Sequence, residues 1–354
     1  MLVMAGPTCE RQGPRYARAV FGLIRLPAAG PSLSVKASRS RGRTDTRRIA
    51  LLYDPRDTMA EYGYTELDVQ YSPRFWVPRM HEKVVVEKHI EITTAESERV
   101  RASVPHRCLR YGEGPRETMD EFGGDSLPND APIFVYIHGG YWQHLNKDMS
   151  CYPVLPLFKA GIRVVVVGYD LAPDADMQRI VQEAKRAGSH IMQLAEELGS
   201  SGVWFSGYSA GGHLTGILYA SGWMDSLPPR QLQLVRGFLP ISGIFDLKPI
   251  VHTYINGPLQ MNEAEAEKHS PMNMKIRDYN NIRIIAIFGQ HDSPSFRAQS
   301  KDFIDKLCKE NIEASWLEVP EMDHFNLVEN LCNPEYTLTR KLISIIQNSK
   351  LNQE

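Results

Sequence analysis

Three side chains far apart in the sequence have the types needed to make a hydroxyl group reactive. Ser209 sits in Gly207-Tyr208-Ser209-Ala210-Gly211, a G-x-S-x-G pentapeptide behind the apolar run Val203 to Phe205 and ahead of a helix predicted from Gly212 to about Ala220. A serine at the apex of a strand-to-helix turn stands clear of both elements, and so tight a turn needs small neighbours. Its hydroxyl is a weak nucleophile until a base takes the proton. Among the downstream histidines, His213 lies one helical turn past the serine, His252 and His269 fall in a long polar insertion, and His291 directly precedes the acid candidate. His324, in MDHFNLVEN, follows the last predicted strand and is the base that the chain order selects. A carboxylate must orient its imidazole and stabilise the imidazolium. Asp292 ends IIAIFGQHD at the tip of the penultimate strand; Asp246 in SGIFDL is the runner-up. Asp323, adjacent to His324, is badly placed to reach the far ring nitrogen. The amides of Gly139 and Gly140 in HGGYW, with that of Ala210, are candidate donors to a developing oxyanion. Loss of one such donor typically costs about 3 to 4 kcal/mol in the transition state. The predicted chemistry is nucleophilic acyl transfer.

These residues need a scaffold that brings them to one edge. PIFVYIHGG (132–140), GIRVVVVGYD (161–170) and GVWFSGYS (202–209) are β-branched and aromatic runs, each closing on Gly or a polar residue. Between the last two, Ile180, Val181, Ala184, Ala187, Ile191, Leu194 and Leu198 recur at helical spacing. RGFLPISGIFDL, IRIIAIFGQHD and ASWLEVPEMDH supply three further strands. Strands apolar on both faces and separated by amphipathic helices predict a mostly parallel central sheet covered by helices on both faces, with ligands at the carboxyl ends of its strands. HEKVVVEKHIEITTAESERVRAS reads equally as a helix or as a strand and helix, and YGEGPRETMDEFGG leaves the sheet edge undefined.

Composition limits the function classes. The 354-residue chain is 42% hydrophobic, enough for one large core. Its net charge is −2, but residues 1–48 hold ten Lys/Arg against Glu10 and Asp45, so the remainder is acidic, which argues against a nucleic-acid surface. Residues 1–48 are expected to form an N-terminal extension outside the fold, with 49–354 as the catalytic domain. In RYARAVFGLIRL, Arg15, Arg18 and Arg25 share a helical face opposite Val20, Phe21 and Ile24, as in a mitochondrial transit peptide; an unfolded leader is the other reading. Cys9, Cys108, Cys151, Cys308 and Cys332 form no C-x-x-C pair and read as reduced thiols of a cytosolic protein. No apolar run approaches the ~18 residues of a membrane span. No signal peptide is evident.

With these residues in place, HGGYWQ, QYSPRFW, GYSAGGHL, ISGIFDLKPIV, FGQHDSPSFRAQS and DHFNLVENL together resemble the kynurenine formamidase (arylformamidase) family, from about Asp68 to Thr337. HGGYWQ stands where many lipase-like hydrolases have a third glycine, and Tyr208 where relatives often have His. The resemblance implies an α/β-hydrolase fold and cleavage of N-formyl-L-kynurenine to kynurenine and formate, with no metal or organic cofactor. It also implies a Ser209, Asp292, His324 triad and a possible homodimer. A formanilide suits this chemistry: its acyl group is small, and its aniline leaving group needs little protonation. Tyr141 and Trp142 are expected to form one wall of the slot for the aromatic substrate. A general aryl carboxylesterase of the hormone-sensitive-lipase type, or a non-catalytic binding protein on the same scaffold, are the competing classes.

Overall fold

A computed structural model describes residues 63–279 and 281–348, and the described residues from Glu66 onward form one compact unit. The expected extension, residues 1–48, and the boundary after it lie outside the described residues. Eight strands form one sheet in the order β1-β2-β4-β3-β5-β6-β7-β8. They are β1 His106–Arg110, β2 Thr118–Phe122, β3 Ile133–Ile137, β4 Arg163–Val167, β5 Val203–Tyr208, β6 Val235–Ile241, β7 Arg283–Gly289 and β8 Ala314–Val319. β1 with β2 and β2 with β4 are antiparallel; all other neighbours are parallel. The ambiguous edge is thus a hairpin, and its second strand is buried throughout while carrying Asp120 and Glu121. Those carboxylates pair with Arg101 and Lys147, and with Arg163 and Arg107. Paired acids inside a strand break the apolar pattern that sequence reading relies on.

Side-chain alternation divides the core between two faces. Ile133, Val135 and Ile137 of β3 pack on one face and Phe134 and Tyr136 on the other. The first face is covered by α2 (Met177–Leu198), α3 (Ala210–Ala220) and α4 (Pro294–Lys309), and the second by α1 (Glu82–Ser103) and α5 (Thr337–Asn348). The passage that could be helix or strand is therefore one 22-residue helix, α1. Its buried positions, Glu82, Val85, His89, Thr93, Ser97 and Val100, keep helical spacing but are mostly polar, so the hydrophobic period is weak.

Register aligns the functional residues. Ile137 pairs with Gly207, Tyr208 with Ile241, Ile241 with Ile287 and Gly289 with Val319. Strand ends in register place the segments that follow β3, β5, β6, β7 and β8 along one edge of the sheet. These segments begin with His138, Ser209, Ser242, Gln290 and Pro320. Among the described residues, no helix is long and apolar enough to cross a membrane.

Candidate active site

Ser209 follows β5 directly and caps α3 with φ 55° and ψ −114°, a conformation that costs about 1 to 3 kcal/mol for a residue with a side chain. Its N–H donates to Ile241 O at 2.8 Å, tying the turn to β6. The helix can pass this close to β3 because Gly211 has no side chain: a Cβ there would overlap the carbonyl oxygens of Ile137 and His138. Ala210 is the first helical residue, so its N–H has no carbonyl one turn behind it within the helix.

Beyond β3 the chain turns through positive φ at Gly140, Tyr141 and Trp142. The Gly140 carbonyl accepts from Gln143 N at 3.0 Å and His144 N at 2.9 Å. Gly139 lies against the elbow, where a Cβ would come within 3.2 Å of Ser209 Cβ. Among the described residues no acceptor takes the N–H of Gly139 or Gly140. Of the three expected donors, Gly139 is the one packed directly against Ser209.

Asp292 and His324 are brought together. His324 Nδ1 lies 2.6 Å from Asp292 Oδ1, and both residues are buried. The second carboxylate oxygen accepts from Ser242 Oγ at 2.6 Å and from Gly289 N at 3.1 Å. The imidazole Nε2 has no partner among the described residues. Tyr208, Phe296 and Phe325 surround the ring at centroid distances of 5.0, 4.9 and 5.5 Å. No hydrogen bond joins Ser209 Oγ to His324 in this structure; in sites without substrate such contacts are commonly loose. Asp246 is engaged elsewhere, accepting from Lys248 N at 3.0 Å. Asp323 turns away from the His324 ring and caps the following turn, accepting from Phe325 N and Asn326 N at 2.9 Å each.

Of the two aromatic residues expected at the substrate wall, Trp142 is placed differently. It is completely buried, and its Nε1–H donates to His213 Nδ1 at 3.2 Å. The positive-φ turn at 140–142 drives the indole down into the core, where it holds up the loop and offers no surface to a ligand. His213 passes the connection on through Nε2, 2.8 Å from His269 O. Burial pushes the pKa of His213 down to about 3, so it is neutral, with its proton on Nε2. Tyr141 is half-buried and donates to Tyr71 O.

Sequence reasoning missed several supporting residues. Ser242, at φ 45°, is recognisable only once β6 and β7 are paired. The QYSP strip is tied to the helix that follows Asp292 and to the insertion after β6. Gln70 accepts from Ser295 Oγ at 3.2 Å, Tyr71 OH accepts from Gln299 Nε2 at 2.7 Å, and Ser72 Oγ lies 2.8 Å from Tyr254 OH. Among the described residues, no group of three or more His, Cys, Asp or Glu is placed to hold a metal ion.

The sheet order, the strained elbow after β5 and the buried Asp–His pair beyond β7 and β8 define an α/β-hydrolase. The BD-FAE family model matches residues 122–307. Kynurenine formamidase of Danio rerio is 36% identical over 291 residues, covering 80% of this chain and 97% of that one. That of Drosophila melanogaster is 30% identical over 295 residues, covering 79% and 97%. Among solved structures, one from Silicibacter sp. tm1040, described as a candidate thioesterase, matches with a TM-score of 0.66 and 27% identity over 80% of this chain and 99% of that one. The chain belongs to the kynurenine formamidase family.

Proposed function

We propose that this protein is a serine hydrolase that cleaves N-formyl-L-kynurenine to L-kynurenine and formate in tryptophan degradation. The observation that carries the substrate is 36% identity to a kynurenine formamidase across 97% of that chain. The mechanism draws support from the strained Ser209 beside a buried Asp292–His324 pair. Ser209 Oγ attacks the formyl carbon while His324 Nε2 takes the hydroxyl proton. The N–H groups of Gly139, Gly140 and Ala210 hold the oxyanion. Asp292 keeps the imidazole in the tautomer that presents Nε2 and stabilises the imidazolium. Collapse of the tetrahedral intermediate breaks the C–N bond, and the imidazolium proton leaves with the aniline nitrogen. Water then adds to the formyl ester, giving its proton to His324; formate departs, and Ser209 recovers the proton. The small formyl group fits a nucleophile as enclosed as Ser209. Cytosolic location and a homodimer are part of the same reading.

The test compares kcat/KM on N-formyl-L-kynurenine with that on 4-nitrophenyl acetate, for the wild type and Ser209→Ala. The formamide is expected to be strongly preferred and the variant inactive on both. A strong preference for the ester would make the protein a general aryl carboxylesterase, and full turnover by Ser209→Ala would end the nucleophile assignment.

A further inference from the structure

The bond to Asp292 orients the imidazole of His324, but it does not fix the turn from which that side chain projects. That turn is held from behind. The Asp323 carboxylate accepts the Phe325 and Asn326 amides through Oδ1, and Asp323 N donates to Asn326 Oδ1 at 2.7 Å. Asp323 Oδ2 accepts from Arg79 Nε at 2.7 Å. A second nitrogen of the same guanidinium donates to Glu329 Oε2 at 2.9 Å, at the far end of the turn. Glu329 Oε1 lies 3.0 Å from His89 Nδ1 on α1, and the His89 ring packs against Phe325 at 5.2 Å and Tyr208 at 6.0 Å.

Both carboxylates are almost fully buried, whereas the Arg79 side chain is 27% exposed. Among the described residues, no other Lys or Arg pairs with either acid. A buried carboxylate that loses its counter-charge has to move toward water or take up a proton. Either response disturbs the acceptor on which the Phe325 and Asn326 amides rely. Burial opposes the charge on Arg79, but hydrogen bonds and attraction to Asp323 and Glu329 outweigh it and raise its pKa. The planar fork meets the two acids through separate nitrogens in a fixed geometry, which the point-charge ammonium of a lysine does not match.

We propose that Arg79 is a positioning residue for acyl transfer, bridging Asp323 and Glu329 so that the turn between them holds His324 against Ser209. The inference rests on the reading of Ser209 as nucleophile and His324 as base. Arg79 touches no reacting atom. Its removal should therefore lower kcat while leaving KM nearly unchanged, because misplacement by about 1 Å can cost about 100-fold in rate.

The experiment measures the rate at which a fluorophosphonate labels Ser209, together with kcat and KM on N-formyl-L-kynurenine, for wild type, Arg79→Ala and Arg79→Lys. Each is assayed with dilute guanidinium chloride and with sodium chloride at equal ionic strength. The partial exposure of Arg79 lets guanidinium reach the space left by Arg79→Ala. Labelling and kcat of Arg79→Ala are expected to fall by about 100-fold, with KM within about twofold, and to recover with guanidinium but not with sodium. Arg79→Lys keeps the charge and serves if Arg79→Ala does not fold; it should be impaired in kcat at an unchanged Tm. Arg79 variants that label and turn over at the wild-type rate would overturn the inference alone. So would a loss that guanidinium leaves unrestored and that follows Tm. A wild type that resists labelling would overturn the Ser209 reading, and this inference with it.

Discussion

Acidification should weaken this fold through two histidines that are buried in the neutral state, and the structure sets the size of the effect. His213 joins Trp142 of the loop after β3 to His269 O, and burial lowers its pKa to about 3. Burial likewise lowers that of His138, which stacks on Tyr169 at 4.2 Å, to about 4. In the unfolded chain both titrate near 6.5. Between the folded and unfolded values the unfolded chain binds more protons, so stability is complete above about pH 6.5 and falls as pH drops toward the folded pKa values. Each unit below 6.5 costs about 1.4 kcal/mol per histidine. At pH 5, still above both folded values, each contributes about 2 kcal/mol of loss, together about 4 kcal/mol of a total stability on the order of 5–15 kcal/mol. Protonation of His213 would also set a second N–H against the indole N–H of Trp142, so the loop after β3 should loosen with the core. His213→Gln, which keeps a donor for His269 O but cannot titrate, isolates one share. Urea unfolding at pH 7 and pH 5 gives the stability difference for each protein. The wild type is expected to lose about 2 kcal/mol more than His213→Gln over that interval. Equal losses in the two proteins would refute the assignment of His213 as a buried neutral group.

Three further outcomes follow from the site. Ser242→Ala removes a buried donor to the Asp292 carboxylate and should destabilise the protein by about 1.5 to 3 kcal/mol in urea unfolding; a change within about 0.5 kcal/mol would mean that the bond contributes nothing. Asp292→Asn, similar in shape, should keep Tm within a few degrees while kcat falls by about 10⁴-fold through loss of the productive tautomer; a tenfold effect would assign the orienting role elsewhere. Gly211→Ala forces a Cβ onto the Ile137 carbonyl, so the elbow must shift. Fluorophosphonate labelling should be lost even where the destabilisation is only about 1 to 3 kcal/mol, and wild-type labelling with normal Tm would contradict the packing described.

The candidate site is legible in the sequence because each proposed member follows a strand end, and strand ends are where period and composition change together. Ser209, Asp292 and His324 are picked out by chain order and strand-end position, and Asp292 and His324 lie 2.6 Å apart. The burial of Trp142 is not legible because nothing in HGGYW shows that the backbone stays at positive φ through residue 142. Arg79, His89 and Glu329 were invisible for another reason. Their partners lie some 240 to 250 residues away, so no local spacing records them, and His89 also dilutes the apolar face of α1. β2 was obscured by Asp120 and Glu121, whose burial makes sense only with Arg101, Lys147 and Arg163 beside them.

The strip from Gln70 to Ser72 is secured at three consecutive residues to three different places: the first turn of α4, its second turn, and Tyr254 in the insertion between β6 and β7. Adding or deleting one residue there would put all three anchors out of step at once, whereas an exchange at a single position disturbs only one. Evolution of this strip should therefore proceed by side-chain replacement, with changes of length displaced to segments that are fastened only at their ends.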